Sequence, residues 1–142
     1  MFANTASRTD RNAFTSTYRQ VGVETGVAGS SPHQLVAMLY DGLHDAIAQA
    51  RGALQDGRIQ DKGRAIGRAV RIVEEGLRAG LNLAAGGELA ANLHALYGYI
   101  GQRLTHANLH NDMATLDECT RLIEPLRSAW QDIDPRKGAS PQ

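Results

Sequence analysis

The strongest constraint on this chain is a repeated apolar spacing of three and four residues, interrupted at a few turn positions. Leu35, Leu39, Leu43, Ala46/Ile47, Ala50 and Leu54 form one such stripe. A second contains Ile66, Val70, Val73, Leu77 and Leu81, and a third Leu89, Leu93, Leu96/Tyr97, Ile100, Leu104 and Ala107. Met113, Leu116, Ile123, Leu126 and Trp130 make the fourth. Steps of three and four place side chains on one face of an α-helix, so each stripe predicts an amphipathic helix. The boundaries are equally legible. Ser31-Pro32-His33-Gln34 offers a cap, a proline at the first helical position and the Gln of a capping box. Gly57 suits a left-handed C-terminal residue. Gly86-Gly87 breaks the chain before a third helix from about Glu88 to His110, and Asn111 or Asp112 starts the fourth. Four helices joined by short turns predict an all-α, antiparallel up-down-up-down four-helix bundle over residues 31–134. A flexible leader (1–30), which shows no sustained period, and a frayed tail (135–142) flank it.

Composition narrows the function. The 142 residues suit one domain, and fifteen basic against fifteen acidic residues give no net field toward nucleic acid or anionic lipid. No apolar run nears the roughly 20 residues of a membrane span, and the N-terminus lacks the pattern of a signal peptide. The expectation is a cytosolic chain that neither inserts into membrane nor binds nucleic acid. Cys119, the single cysteine, excludes an internal disulfide and reads as a small buried hydrophobe. Charge is nonetheless segregated: residues 58–86 carry a local +3 and residues 111–134 a local −4. These segments are expected to lie side by side and attract.

Gly63/Gly67 and Gly76/Gly80 pair at helical spacing in the second helix (about Ile59 to Leu83) and predict close approach of a neighbour. Pro125 should kink the fourth helix or delete a backbone hydrogen bond.

Catalytic patterns are missing. His106 and His110 stand at i, i+4 without a metal-binding context, and they read as polar-face histidines near a helix end. Asp41 and Asp45 read as a solvated face, and Gly22–Gly29 form no phosphate loop. No catalytic residue, metal or cofactor is predicted, and the chain is not expected to be an enzyme. What remains is apolar surface off the stripes: Ile72, Leu83, Tyr99 and Leu109, with Tyr40 at a stripe edge. Such a surplus either marks a partner surface or fills the corners of a non-ideal bundle. The leader holds one apolar island of Phe14, Tyr18, Val21 and Val23. It is expected to dock on its own domain or on a partner, and it could cover the groove.

Successive segments then resemble one family. They are Tyr18-Arg19-Gln20-Val21-Gly22-Val23-Glu24-Thr25, Ser31-Pro32-His33-Gln34-Leu35 and Met38-Leu39-Tyr40-Asp41-Gly42. Gly76-Leu77-Arg78-Ala79-Gly80-Leu81, Gly86-Gly87-Glu88, Leu96-Tyr97-Gly98-Tyr99-Ile100 and Ala107 to Asp112 follow. Leu126 to Trp130 closes the series. In this order, over about 18–133, they resemble the flagellar secretion chaperone family, FliS. The resemblance implies an ATP-independent chaperone that binds the C-terminal segment of flagellin, prevents premature filament assembly and is recognised by the cytoplasmic domain of the export gate. It also implies that Tyr18 and Val21, with Val23, serve as cap residues. Self-association without client is a further expectation. A scaffold bundle for another flagellar protein, such as an anti-sigma factor, is the alternative. Pro125 and the residues before Tyr18 depart from the family pattern.

Overall fold

A computed structural model describes residues 8–18 and 31–134. Its elements are α1 (Arg8–Ser16), α2 (Pro32–Gln55), α3 (Ile59–Arg71) continued by a π-helical segment (Ile72–Arg78), α4 (Leu83–His110) and α5 (Met113–Asp132). No strand occurs among the described residues.

The boundaries follow from local chemistry. Ser31 Oγ accepts from the Gln34 N–H and Gln34 Oε1 accepts from the Ser31 N–H, both at 3.0 Å, completing the expected capping box. Gly57 turns the chain after α2 with φ 75°. Asn82 caps α4 by accepting from the Ala85 N–H, and Gly87 (φ 61°, ψ −141°) breaks that helix after its first turn. Asn111 ends α4 in the left-handed region, and Asp112 caps α5 through Thr115. The last helix runs on through Pro125. Because proline has no N–H, the cost there is one absent backbone bond.

Cross-helix contacts fix the directions. On α2 and α5, His33 meets Trp130, Asp41 meets Arg127 and Arg51 meets Asp117. Lys62 on α3 meets Asn108 on α4 and the later Arg78 lies against Gly98, while Tyr99 and Arg103 on α4 meet Glu118 and Thr115 on α5 in turn. One number rises as its partner falls, so neighbours are antiparallel and the chain closes a ring α2-α3-α4-α5. The core is filled by Tyr40, Leu43, Ile47, Ile66, Leu77, Tyr97, Ile100, Leu104, Leu116, Ile123 and Trp130.

Three features differ from the sequence expectation. The second helix is not one α-helix: from Ile72 to Arg78 it widens to i→i+5 bonding, as the Ala79 N–H to Glu74 carbonyl bond shows. Within it, Gly76 lies so close to Leu39 that an added Cβ would stand 2.9 Å from Leu39 Cδ2, and a Cβ on Gly98 would stand 2.9 Å from Arg78. Close approach is therefore real at Gly76 but not at Gly63 or Gly67, where a Cβ would find its nearest neighbour at 3.8 Å. The basic and acidic segments also do not pair. They occupy opposite corners of the ring, and α5 spends its carboxylates on Arg51, Arg103, His44 and its own Arg127. Finally, the leader is not without structure: residues 8–16 are helical and packed on α4. Nine residues are too few to hold a helix alone, so docking stabilises it.

Candidate functional site

The leader enters the core. Tyr18, two residues past the end of α1, is fully buried, and so is Thr17 beside it. The Tyr18 hydroxyl donates to the Tyr97 hydroxyl at 2.7 Å, and the Tyr97 and Tyr40 hydroxyls share a hydrogen bond of 2.5 Å. Three phenols from the leader, α2 and α4 thus meet in one chain of hydrogen bonds. Burial raises the pKa of all three, and repulsion between neighbouring phenolates adds to the rise. The hydroxyls stay neutral and act as hydrogen-bonding groups, not as acids.

Trp130 forms the other wall. Phe14 and Tyr18 meet its ring edge-on at centroid distances of 4.8 and 5.6 Å, and the His33 ring stacks on it at 4.9 Å. Trp130 Nε1 donates to the His33 carbonyl at 3.0 Å while His33 Nε2 donates to the Trp130 carbonyl at 2.8 Å. Two reciprocal bonds clasp the start of α2 to the end of α5 and hold the indole square to the leader. A backbone bond completes the attachment: the Asn82 N–H donates to the Thr17 carbonyl at 2.7 Å. Gly86 lies against Thr17 so closely that a Cβ would stand 2.9 Å from its Oγ1.

Beside the leader is a largely apolar cleft of about 320 Å³, walled by Phe14 of α1, Leu89 and Leu93 of α4, and Leu126, Ala129 and Ile133 at the end of α5. Its α1 side belongs to the leader. Departure of the leader would join this cleft to the space under Tyr18 and leave a long apolar trough over Tyr40, Tyr97 and Trp130.

The sequence-predicted residues divide accordingly. Tyr18 and Tyr40 are brought together, but Tyr40 is a core residue with no exposed surface, not a stripe edge. The α2 face that turns inward runs through Val36, Tyr40, Leu43 and Ile47, leaving Leu35 and Leu39 only partly buried. Leu83 is half exposed, one residue past the Asn82 tether. Ile72 is partly buried and opens the π-helical segment. Tyr99 is exposed and donates to Glu118, which raises its pKa. Leu109 is 75% exposed at the far end of α4, about 30 Å from the leader by helical rise. Val21 and Val23 lie outside the described residues. The sequence stripes placed Tyr97 and Trp130 inward without marking them as the leader's anchor. Their aromatic size beside small neighbours was the available signal.

Cys119 is buried, and burial pushes its thiol up to about 12, with Glu118 adding to the rise. His106 and His110 stand with ring centroids 4.5 Å apart, His106 near Asp112. Among the described residues no group of three metal-ligating side chains converges. No helix there is long and apolar enough to cross a membrane.

Comparison with known proteins gives this arrangement a family. The family model of flagellar protein FliS matches residues 14–137, a span that includes Phe14, Tyr18 and the whole bundle. The chain belongs to the FliS family. It is 44% identical over 119 residues to the flagellar secretion chaperone FliS of Salmonella typhimurium, covering 84% of this chain and 88% of that protein. It is 43% identical over 116 residues to FliSB of Pseudomonas aeruginosa, covering 82% and 91%. With FliS of Bacillus subtilis it shares 32% over 121 residues, 85% of each chain. FliS is a family of flagellar secretion chaperones, a binding role that suits a site built from apolar walls and neutral hydroxyls.

Proposed function

We infer that this chain is an ATP-independent, non-enzymatic export chaperone of the cytosol that binds the C-terminal segment of flagellin. It prevents premature filament assembly and hands its client to the cytoplasmic domain of the export gate. The observation that carries this reading is the leader seated in the core through Tyr18 beside an apolar cleft. A short covering segment, held by side-chain and backbone contacts that can be broken without unfolding the bundle, is what a chaperone needs between clients. An amphipathic client segment would take the leader's place on Tyr40, Tyr97, Trp130, Leu89 and Leu93, exchanging one apolar cover for another.

Energetics support such an exchange. Ordering a client segment costs about 2–5 kcal/mol, so the surface it meets must be broad and apolar. While the leader is docked, the client's apparent affinity is reduced by the fraction of molecules that are open. Of the off-stripe residues, Leu83 adjoins this trough, whereas Ile72, Tyr99 and Leu109 would meet a client only if it continued around the bundle. Titration calorimetry of the full chain with the C-terminal segment of its own flagellin tests the reading. One-to-one binding is expected, and the absence of heat and of binding would reject it.

A further inference from the structure

At the other end of the bundle, about 28 Å along α2 from His33, lies a second cleft of about 460 Å³ between the end of α2 and the start of α3. Its floor is small and apolar: Gly52 and Ala53 on one side, Ala65 on the other. A Cβ on Gly52 would meet nothing within 4 Å, so the floor is open. Arg58, Arg64 and Arg68 form the rim with Asp61 among them, and Arg71 follows one turn beyond Arg68.

The charges of this rim are not balanced from within. Arg58 and Arg64 share the single carboxylate of Asp61, at 2.9 Å each, and Arg58 also reaches Asp56 at 3.4 Å. Arg68 and Arg71 are exposed, and no carboxylate among the described residues pairs with either. The acidic helix that could have neutralised them sits diagonally across the ring with its carboxylates engaged elsewhere. Arg64 and Arg68 stand one helical turn apart on one face. That spacing matches carboxylates one turn apart on a partner helix, with alanine-sized side chains facing the floor.

We propose that this cleft docks an acidic segment of a partner protein, at a site separate from the leader-covered trough. Two features favour protein over nucleic acid. The cleft has no aromatic side chain on which a base could stack, and its small apolar floor of Gly52, Ala53 and Ala65 fits the alanine-sized side chains of a helix. Paired carboxylates one turn apart can take Arg68, which no carboxylate of the described residues holds, and share Arg64 with Asp61.

The test uses the full chain and a labelled helical peptide of about sixteen residues, with paired glutamates one turn apart on an alanine background. Its glutamine counterpart and an oligothymidylate are controls. Binding of the glutamate peptide alone is expected, with amide shifts at Gly52, Ala53 and Ala65. An Arg64→Gln/Arg68→Gln variant should weaken it about tenfold, as loss of two partly exposed ion pairs would. Gly52→Leu, which fills the floor without changing charge, should weaken it by a similar factor. The second variant carries the test if the first does not fold. No binding of the glutamate peptide, equal binding by folded variants, or binding of oligothymidylate in its place would overturn the proposal.

Discussion

The tyrosine chain makes an asymmetric prediction about leader release. In Tyr18→Phe, one hydroxyl is lost and Tyr97 keeps its bond to Tyr40. A single net hydrogen bond is worth about 0.5–1.5 kcal/mol, so leader opening should increase by less than about tenfold. In Tyr97→Phe, the shared partner goes, and the hydroxyls of Tyr18 and Tyr40 are both left in the core without it. A buried orphan costs about 1–3 kcal/mol, and the two hydroxyls, left with only each other in reach, together lose about 2–4 kcal/mol. With the leader undocked, both hydroxyls reach water, so the penalty falls on the docked state alone. Opening should therefore rise by at least about thirtyfold. The Asn82 amide reports it directly, because its acceptor is the Thr17 carbonyl of the leader. Native-state hydrogen exchange should show Asn82 accelerated at least thirtyfold in Tyr97→Phe, under about tenfold in Tyr18→Phe, and little change at Ile100 in either. Equal acceleration in the two variants would refute the shared-partner argument.

Other consequences follow from the same contacts. The folded-state pKa values of Tyr18, Tyr40 and Tyr97 are raised, so their contribution to stability is complete below the ordinary tyrosine value and is lost as pH rises above it. Cys119 adds the same trend between about 9 and about 12. Alkaline titration should show phenolate absorbance of these residues appearing together with unfolding, not as independent ionisation near the ordinary value. Gly63→Ala meets no close neighbour and removes a helical glycine, so it should stabilise by up to about 1 kcal/mol in thermal melts. Gly86→Ala would push against Thr17, including its Cα at 3.2 Å, and should release the leader, seen as faster Asn82 exchange. Lys62 is buried and its ammonium bonds the Asn108 carbonyl and side chain near the end of α4. Lys62→Met should cost about 1–3 kcal/mol in denaturant unfolding, through the unpaired acceptors and the uncompensated helix end.

Most helix boundaries were legible because they are local: Ser31, Gly57 and Asp112 act within four residues of themselves. By contrast, α4 starts at Leu83 under its Asn82 cap, five residues before the expected start, and Gly87 only breaks it after its first turn. The π-helical segment was not, because it answers to distant partners. Gly76 yields to Leu39 and Arg78 occupies the space over Gly98, and no periodicity within the second helix contains either fact. The expected attraction between basic and acidic segments failed for a topological reason. In a ring closed in chain order, second and fourth helices are diagonal, so each pairs with its true neighbours. Tyr40 was misplaced because counting from leucines sets the stripe one position off, and the aromatic wall of Tyr97 and Trp130 turns the helix toward its tyrosine. The leader's island was readable at Phe14 and Tyr18, both of which meet Trp130. That these two reach the core could not be read, since it depends on a gap left by three other helices.

The central claim is that the client takes the place the leader occupies. Amide exchange at Asn82, measured in the full chain saturated with the C-terminal segment of its own flagellin, tests it most directly. The account predicts that protection of Asn82 is lost on binding while that of Ile100 is kept. A segment that fails to bind, or that binds with Asn82 still protected, would contradict it.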